Sequence, residues 1–557
     1  MSRFLLAAEA DQIQDFIFKA SHLREVVGGS QLLTRFGDDT QDDSAIRHLL
    51  TRYGAKAITA GGGSFRVLFA DHKPERVQEF GQLMAEVYRR ATGGTLTVAE
   101  PILWAEIERY EDASQQVEMQ LQQAKRSRGH GGVTAQLPFV AFCVSCGVEL
   151  AHHYVKHHWQ EADENAQYLC HSCRKKGLER NHERERDHPG VFLHQFFEQV
   201  IDDPTQISNY FWPGKNPKID PTTDLAQFDP RRYVAYLLAD GNRMGRTFSN
   251  CSLEQADRLS HALTETLRHC VAEPVRNLMG HIKEEYPRLV KLIPALPLIL
   301  GGDDLFILLP ARWAFDVARQ FCLTYEAKMM TVFKDLGLPL HPPPTVSATL
   351  VICKANYPFY LAHQAGQARL KEAKCVAGTL ALAQEADFHS SILNFEIITG
   401  SQLVRQEEPP DIRDTLRPYW LKPPDRAEFG RSIDLLLESR KALEDLPNRR
   451  RAQLRGYFDQ LVMTARLDPM DIETQLEKRE ADLQRILTRI KRNQRHYKDL
   501  AQVLESLGAL TEEGLLQPVD RGSCDNLWRG HGLPDLLDAW DFTEQIEPAG
   551  RQIGKEG

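Results

Sequence analysis

The fold is decided by residues 296–309, which read Leu-Pro-Leu-Ile-Leu-Gly-Gly-Asp-Asp-Leu-Phe-Ile-Leu-Leu. Two apolar runs that flank a turn of glycine and aspartate predict a β-hairpin. Upstream, the apolar run 233–238 predicts a further strand, which ends at Asp240. If that strand pairs beside the hairpin, Asp240 and the two aspartates of the turn converge at one edge of a sheet.

The converging carboxylates are Asp240, Asp303 and Asp304. Hard oxygen ligands bind Mg²⁺ or Mn²⁺, and two such ions would bridge the phosphates of a nucleoside triphosphate and activate an attacking hydroxyl. Gly301 and Gly302 lack a Cβ and would allow a base or phosphate to approach the backbone closely. The alternative is a plain hairpin turn, because glycine and aspartate favour turns by themselves. The apolar strands and the upstream aspartate favour the metal site.

A basic helix follows the hairpin. Residues 368–374 read Ala-Arg-Leu-Lys-Glu-Ala-Lys, within a helix predicted over 358–375. Lys371 or Lys374 could bind the triphosphate as a point charge. Solvated lysines on an amphipathic helix are the equally good alternative.

The chain shows the same pattern twice, first over 3–99 and again from 231. Each copy has a strand, a helix, a hairpin with a Gly-Gly tip, a helix and a strand, which indicates a degenerate internal duplication. In the first copy the helix is predicted over 12–36. The tip of the first hairpin consists of Gly61, Gly62, Gly63 and Ser64. This tip carries no carboxylate, so the first copy is predicted to cradle a nucleotide without ligating metal ions.

Two cysteine pairs lie between the copies. Cys143 and Cys146 form one Cys-x-x-Cys motif, and Cys170 and Cys173 form the other. Two such pairs predict a structural Zn²⁺ held by four thiolates, and a redox-active Cys-x-x-Cys is the less favoured alternative. A histidine could replace one of the cysteines. The nearby candidates are His152, His153, His157, His158 and His171.

The composition narrows the class of protein. The chain has 557 residues and a formal net charge of −9, so no overall basic field indicates nucleic acid or an anionic membrane. Residues 449–500 are locally basic, with 13 Lys and Arg against 8 Asp and Glu. They could bind RNA phosphates, or they could be a solvated helical surface. No apolar stretch is long enough for a membrane span or a signal peptide, so we expect a cytoplasmic protein that does not bind membranes.

These motifs together resemble the signature large subunit of type III CRISPR–Cas effector complexes, the palm-domain cyclic oligoadenylate synthetase family. The resemblance covers nearly the whole chain. It is carried by residues 11–18 and 23–30, the two cysteine pairs, residues 239–245, the turn 301–304 and residues 354–359.

The resemblance implies two ferredoxin-like palm domains, related to nucleotide cyclases and polymerases, which pack face to face around two ATP molecules. Asp240 and Asp303 or Asp304 would hold the metals while one 3′-hydroxyl attacks another ATP. Repeated transfer would give a cyclic oligoadenylate, with target RNA as the indirect trigger. Guide RNA, small subunits and backbone subunits are the implied partners. The family's usual N-terminal HD nuclease domain is not visible, and Asn242 stands where related cyclases often have an acid, so we expect it to support the metal ligands at most.

We therefore predict an α+β chain in four segments: 1–130, a first palm domain without metal ligands; 131–228, a zinc-binding insert and linker; 229–405, a second palm domain with the Gly-Gly-Asp-Asp turn; and 406–557, an all-helical domain. The alternatives to an oligoadenylate synthetase are a catalytically silent scaffold of a guide-RNA complex and a standalone nucleotide cyclase.

Overall fold

The structure is a computed structural model of the chain. It describes residues 3–546 except 21, 39–43, 62, 71, 105–108, 128–140, 156–166, 183–189, 217–218, 290, 384–388, 400–414, 423–430, 445, 456–480, 483–484, 487, 490–497, 508–516, 520–527 and 531. The mixed α+β class predicted from the sequence is confirmed. Among the described helices, none is both long and apolar enough to cross a membrane.

The first sheet is built around a strand whose apolar residues cover both of its faces. Its strands are β1 (Arg3–Ala10), β2 (Ala55–Gly61), β3 (Ser64–Ala70), β4 (Leu96–Val98) and β5 (Ile102–Trp104). They lie in the order β2-β3-β1-β4, and β5 also pairs with β1. Because successive side chains of a strand point to opposite faces, Leu5 and Ala7 enter one core and Phe4, Leu6 and Ala8 enter another.

Five helices accompany this sheet: α1 (Ile13–Phe18), α2 (Leu23–Gly37), α3 (Ala45–Tyr53), α4 (Pro74–Thr92) and α5 (Tyr110–Ser127). The helix predicted over 12–36 is two helices, because the backbone of His22 is extended and starts a new helix. Helix α5 packs on the face of the sheet that carries Leu5 and Ala7.

The segment between the sheets contains two short strands and three helices: β6 (His153–Val155), β7 (Gln167–Leu169), α6 (His171–His182), α7 (Gly190–Val200) and α8 (Pro221–Ala226). Helix α6 packs along α2. The short hairpin β6–β7 and the start of α6 surround the four cysteines.

The second sheet contains the stretch that decides the fold. Its strands are β8 (Tyr233–Gly241), β9 (Leu296–Gly301), β10 (Asp304–Pro310), β11 (Val346–Lys354), β12 (Ile392–Ile397) and β13 (Tyr419–Trp420). They lie in the order β13-β12-β11-β8-β10-β9. Strand β8 is central and buried along almost its whole length, as its continuous apolar run predicts.

Helices cover both faces of the second sheet: α9 (Met244–Ser249), α10 (Leu253–Glu285), α11 (Ala314–Asp335) and α12 (Phe359–Ala383). Helices α10 and α11 pack against each other on one face. Helix α12 packs on β11, β12 and β8 from the other face. A capping box formed by Ser252 and Gln255 fixes the start of α10.

The C-terminal segment was expected to be all-helical, and it contains strands as well. Its helices are α13 (Ile433–Ala442), α14 (Lys498–Ser506) and α15 (Leu533–Ala539), and β14 (Gln517–Val519) pairs with β15 (Trp528–Gly530). Strand β13 also belongs to this segment, yet it extends the second sheet by pairing with β12. Aromatic residues such as Tyr419 and Trp528 favour strands. The sequence analysis missed these strands because they are only two or three residues long.

Candidate functional site

Strand register brings the three predicted carboxylates to one sheet edge. Asp304, the first residue of β10, lies directly opposite Asp240 on β8, and Asp303 occupies the adjoining turn. On its other side, Asp240 lies opposite Ser347 of β11. The antiparallel pairing of three apolar strands therefore places Asp240 between two polar neighbours at the end of the sheet.

The three carboxylates repel one another. Burial and the nearby Asp240 carboxylate raise the pKa of Asp303 to about 6. Burial, Asp240 and Asp303 together raise the pKa of Asp304 to about 7, although the residue keeps an exposed surface at the turn. Both shifts mean that the cluster carries more negative charge than the protein around it neutralises. Such a cluster is stabilised by added cations.

One cation already contacts the cluster. The Lys374 ammonium on α12 donates a hydrogen bond to Asp240 Oδ2. The other predicted lysine, Lys371, lies one turn earlier on α12, where it is exposed. The structure thus separates two lysines that the sequence could not distinguish: Lys374 belongs to the carboxylate edge, and Lys371 makes no hydrogen bond or ion pair with any described residue.

Of the glycines at this edge, Gly302 has open space around it and Gly241 is tightly packed. Gly302 has φ +62°, and open space surrounds the position of a Cβ, so it serves the turn. Gly301 ends β9 opposite Asp304. Gly241, which we did not predict, is crowded: a Cβ would lie 2.7 Å from Met244 Cγ, 2.8 Å from the Tyr325 hydroxyl and 3.1 Å from Asp303 Cβ.

A small cavity of about 160 Å³ lies beside the carboxylates. Its lining includes Lys374, Asn242 and Arg243. The Asn242 amide donates to Thr345 Oγ1 at 3.0 Å and accepts from the Ser347 hydroxyl at 2.8 Å. These bonds hold Asn242 as a support of the edge. Arg243 adopts a left-handed backbone (φ +63°) at the start of α9, which is uncommon for a residue with a side chain.

Residues 233–383 match the family model described as Cas10/Cmr2, second palm domain. This part of the chain is therefore similar to a Cas10/Cmr2 second palm domain. The family resemblance drawn from the sequence is thereby confirmed for this part of the chain, which contains Asp240, the Gly-Gly-Asp-Asp turn and Lys374. No curated protein matches the chain.

Among solved structures, similar chains are Csm1 subunits. In a Csm1–Csm4 cassette in complex with cA4, the match has 15% identity, covers 67% of this chain and 52% of that chain, and has a TM-score of 0.41. The match to the Csm1–Csm4 subcomplex of a type III-A CRISPR-Csm interference complex has 16% identity and a TM-score of 0.41. It covers 67% of this chain and 53% of that chain. The match to Csm1 in T. onnurineus has 16% identity and a TM-score of 0.39, and it covers 66% of this chain and 51% of that chain. The matched part is about half the length of these relatives.

The first unit repeats the register of the second palm with different residues. Glu9 of β1 lies opposite Ser64 of β3, as Asp240 lies opposite Asp304, and Gly61 pairs with Ser64 as Gly301 pairs with Asp304. Lys125 of α5 lies 2.6 Å from Glu9, the counterpart of the pair between Lys374 and Asp240. Sequence reasoning missed this pair, which an alignment of the two repeats on their strand ends would have found.

The predicted glycine tip of the first hairpin is tightly packed at one position. A Cβ at Gly63, where φ is +77°, would lie 2.3 Å from Ile13 Cδ1. Gly62 lies outside the described residues. The tip contains no carboxylate, and the carboxylate of Glu9 lies at the corresponding sheet edge.

The zinc prediction rests on four cysteines that the structure brings together. The sulfur atoms of Cys143, Cys146, Cys170 and Cys173 all lie within 4.8 Å of one another. Four thiolates at such distances are the donor set of a closed, structural Zn²⁺ site. Of the alternative ligands, His153 contacts Arg174 and His171 instead, and His157 and His158 lie outside the described residues.

The cysteine cluster is linked to the first unit by buried polar contacts. The Ser145 hydroxyl donates to Glu25 of α2. Lys176 of α6 is 1% exposed, donates to the Phe16 carbonyl and stands 4.1 Å from the centre of the Phe16 ring. Two residues further, Phe18 of α1 packs edge to face on Phe306 of the second palm, with 5.1 Å between ring centres. The cluster thereby supports the helix that joins the two units.

The basic stretch 449–500 is described only in part. Arg451 lies 3.3 Å from Asp541, and Arg455 lies 3.6 Å from Asp538. These two arginines are engaged within the chain. Residues 456–480 and 490–497 lie outside the described residues, so RNA binding by this stretch stays a prediction.

Proposed function

We propose that the second palm is a metal-dependent nucleotidyltransferase that converts ATP to a cyclic oligoadenylate. The observation that carries the proposal is the register that sets Asp304 opposite Asp240, with Asp303 in the adjoining turn. A hairpin turn with a purely structural role has no need of mutually repelling carboxylates. Their repulsion costs folding free energy, and bound cations would offset that cost.

The donor set fits two Mg²⁺ or Mn²⁺ ions. Asp240, Asp303 and Asp304 offer hard oxygen ligands, and the raised pKa values of Asp303 and Asp304 mark a site that lacks positive charge. When bound, the two ions would activate the attacking 3′-hydroxyl and neutralise the leaving pyrophosphate.

The chain's own residues would bind and orient the nucleotides. Lys374 is a counter-ion of Asp240, and its ammonium would be available to phosphate oxygens with that carboxylate neutralised by bound cations. Gly301 and Gly302 present backbone without side chains to the triphosphate, and open space lies beside Gly302. Gly61, Gly63 and Ser64 would serve the second nucleotide from the first unit, with Gly62 and Lys371 as further candidates.

The setting that we propose is a type III CRISPR effector complex in antiviral defence. The support is the family match of residues 233–383. In this setting the chain would act with guide RNA, small subunits and backbone subunits, and pairing of target RNA with the guide would switch synthesis on. The four predicted segments stand as our proposal for its domains, with the second palm extended beyond 405 to include β13.

The test incubates the full chain with ATP and Mg²⁺ or Mn²⁺, alone and assembled with guide complex and target RNA, and identifies products by mass spectrometry. We expect an adenylate product that disappears in Asp303→Ala/Asp304→Ala. The matched control is Asp335→Asn, an exposed residue at the end of α11, which should leave product formation unchanged. If assembled protein with target RNA binds ATP and forms no product, the second palm is a scaffold and the proposal is wrong.

A further inference from the structure

A second cavity, of about 650 Å³, lies at the far end of the second palm from the carboxylates. It is bounded by the start of α12, by the beginning of β8 and the end of β11, and by α8. Tyr236 lines it, four residues before Asp240 on the same strand, which corresponds to about 13 Å along β8. Between the two sites, α12 packs directly on the sheet. Its Gly366 lies so close to β8 that a Cβ there would stand 2.6 Å from Leu238 Cδ1. The cavity is therefore separate from the carboxylate edge.

One buried hydroxyl at this cavity has no partner. Tyr236 is 0% exposed, and its hydroxyl makes no hydrogen bond to any atom of the described residues. Leaving such a group unpaired destabilises the folded chain. Burial raises the pKa of Tyr236 well above its ordinary value, so the group remains a neutral donor. A ligand oxygen in the cavity would satisfy it.

The rim of the cavity is cationic. Arg231 is engaged by Asp541 at 2.8 Å, and the Lys354 ammonium donates to the Arg231 carbonyl at 2.6 Å. Arg232 is exposed and forms no ion pair within the described part of the chain. Its backbone has φ +61°. Such a conformation is uncommon for a residue with a side chain and persists only where the surrounding structure enforces it.

Helix α12 begins at this cavity. Pro358, which precedes the helix, lines the cavity and has no side-chain group that could cap the first turn. The first N–H groups of a helix have no acceptor within it and favour an anion. The helix terminus, the free Arg232 guanidinium and the Tyr236 hydroxyl together offer donors for the oxygens of a phosphate.

The remaining lining suits a sugar and a base. Asp220 uses Oδ1 to cap α8, accepting from the Thr222 amide at 3.0 Å and its hydroxyl at 2.7 Å, and its Oδ2 makes no hydrogen bond to a described residue. A carboxylate oxygen of this kind accepts hydrogen bonds from ribose hydroxyls. Tyr357 and Phe359 supply aromatic surface. The volume is within the range of roughly 300–1,000 Å³ that is usual for small-ligand sites.

We propose that this cavity binds a nucleoside phosphate at a site distinct from the carboxylate edge. Its phosphate would contact Arg232 and the start of α12, and its sugar would contact Asp220 and Tyr236. Because α12 also carries Lys374, a ligand at the start of the helix would fix the helix that reaches the carboxylates. The inference goes beyond the proposed synthesis and does not depend on it.

The test uses the full chain with Asp303→Ala/Asp304→Ala in buffer without added divalent cations, which removes metal-dependent nucleotide binding at the carboxylates and leaves the cysteine site loaded. Isothermal titration with AMP should show a binding event whose affinity depends on Tyr236 and Arg232. Removing the hydroxyl in Tyr236→Phe should weaken binding about 2- to 10-fold, and Arg232→Ala about 10-fold or more, since a bond to a charged group is stronger. The matched control Arg258→Ala, an exposed arginine of α10, should leave the affinity unchanged.

Two results would overturn the inference. One is no AMP binding in this background, or an affinity that neither Tyr236→Phe nor Arg232→Ala changes while both variants melt as the parent does. The other is inorganic phosphate binding as tightly as AMP, which would leave an anion site without selection for the nucleoside.

Discussion

At the scale of single residues, Asp303 and Asp304 couple pH to metal binding. Their pKa values are raised to about 6 and about 7, so the metal-free folded chain binds more protons than the unfolded chain between about pH 4 and 7. Its stability should therefore fall as pH rises through this window. A divalent cation removes the repulsion once the carboxylates are charged, so stabilisation by Mn²⁺ should be larger at pH 8 than at pH 5.

Thermal melting with and without added Mn²⁺ at the two pH values, in buffer that holds no other added divalent cation, measures this coupling. Asp303→Asn/Asp304→Asn is the control, because amides carry no titratable proton and should abolish the difference. An equal gain from Mn²⁺ at pH 5 and pH 8 in the parent chain would contradict the prediction.

Gly241 should be the least replaceable glycine of the edge. In Gly241→Ala the new methyl group would overlap Met244 Cγ and the Tyr325 hydroxyl and press on Asp303, and overpacking of this kind costs about 1–3 kcal/mol. Gly245→Ala is the matched control, since nothing lies within 4 Å of its Cβ position on α9. It should be neutral or stabilise by up to about 1 kcal/mol. Urea denaturation distinguishes the two, and equal stabilities would refute the packing argument.

At the scale of elements, the sequence predicted what apolar patterning determines. The two runs beside the Gly-Gly-Asp-Asp turn and the upstream run 233–238 indicated three strands, and their register brings Asp240 opposite Asp304. Patterning cannot show which lysine of an amphipathic helix faces the sheet. The pairing of Lys374 with Asp240, and the packing of Gly241 against α11, depend on tertiary contacts that no local period encodes.

Helix α6 provides an element-scale prediction. In Lys176→Met the side chain keeps its approximate volume but loses the hydrogen bond to the Phe16 carbonyl and the positive charge beside the cysteines. A buried carbonyl left unpaired costs about 1–3 kcal/mol, so we expect a loss of that size and faster zinc release to a chelator. Lys175→Met is the control for zinc release, because the less buried Lys175 donates to the Arg90 and Ala91 carbonyls of α4 rather than to α1. Identical zinc release rates in the two variants would exclude a role for the buried ammonium.

At the scale of the whole molecule, the two repeats share a register and differ in charge. Glu9 with Lys125 occupies the position of Asp240 with Lys374, but Ser64 replaces Asp304. Because Lys125 neutralises Glu9 and no carboxylate stands at the hairpin residue opposite it, the first edge lacks the cluster of three carboxylates that would attract metal ions. Glu9→Gln should therefore leave Mn²⁺ binding unchanged and cost less than about 1 kcal/mol, as for other partly exposed pairs.

Asp240→Asn removes a member of the larger cluster and should reduce product formation by about 100-fold or more, because metal ligation contributes several kcal/mol to such transfers. Mn²⁺ titration followed by electron paramagnetic resonance, together with the ATP assay, compares the two variants. Comparable losses of Mn²⁺ binding in Glu9→Gln and Asp240→Asn would show that both repeats ligate metal.

The C-terminal segment is joined to the second sheet through one buried carboxylate. Asp535 of α15 accepts hydrogen bonds from the Thr415 hydroxyl, the Leu416 amide and the Tyr419 hydroxyl, and it lies 3.1 Å from Arg417. Asp535→Ala would remove the buried acceptor of three hydrogen bonds and one of the two carboxylates near Arg417, which keeps Glu396 at 3.8 Å, and breaking such a buried network costs about 3–5 kcal/mol. Because Tyr419 lies in β13, the loss should free the C-terminal helices while β8 to β11 stay folded. Limited proteolysis should then cut the variant after β12 and release a second palm that still binds Mn²⁺, whereas global unfolding in one step would show that the two regions fold as one unit.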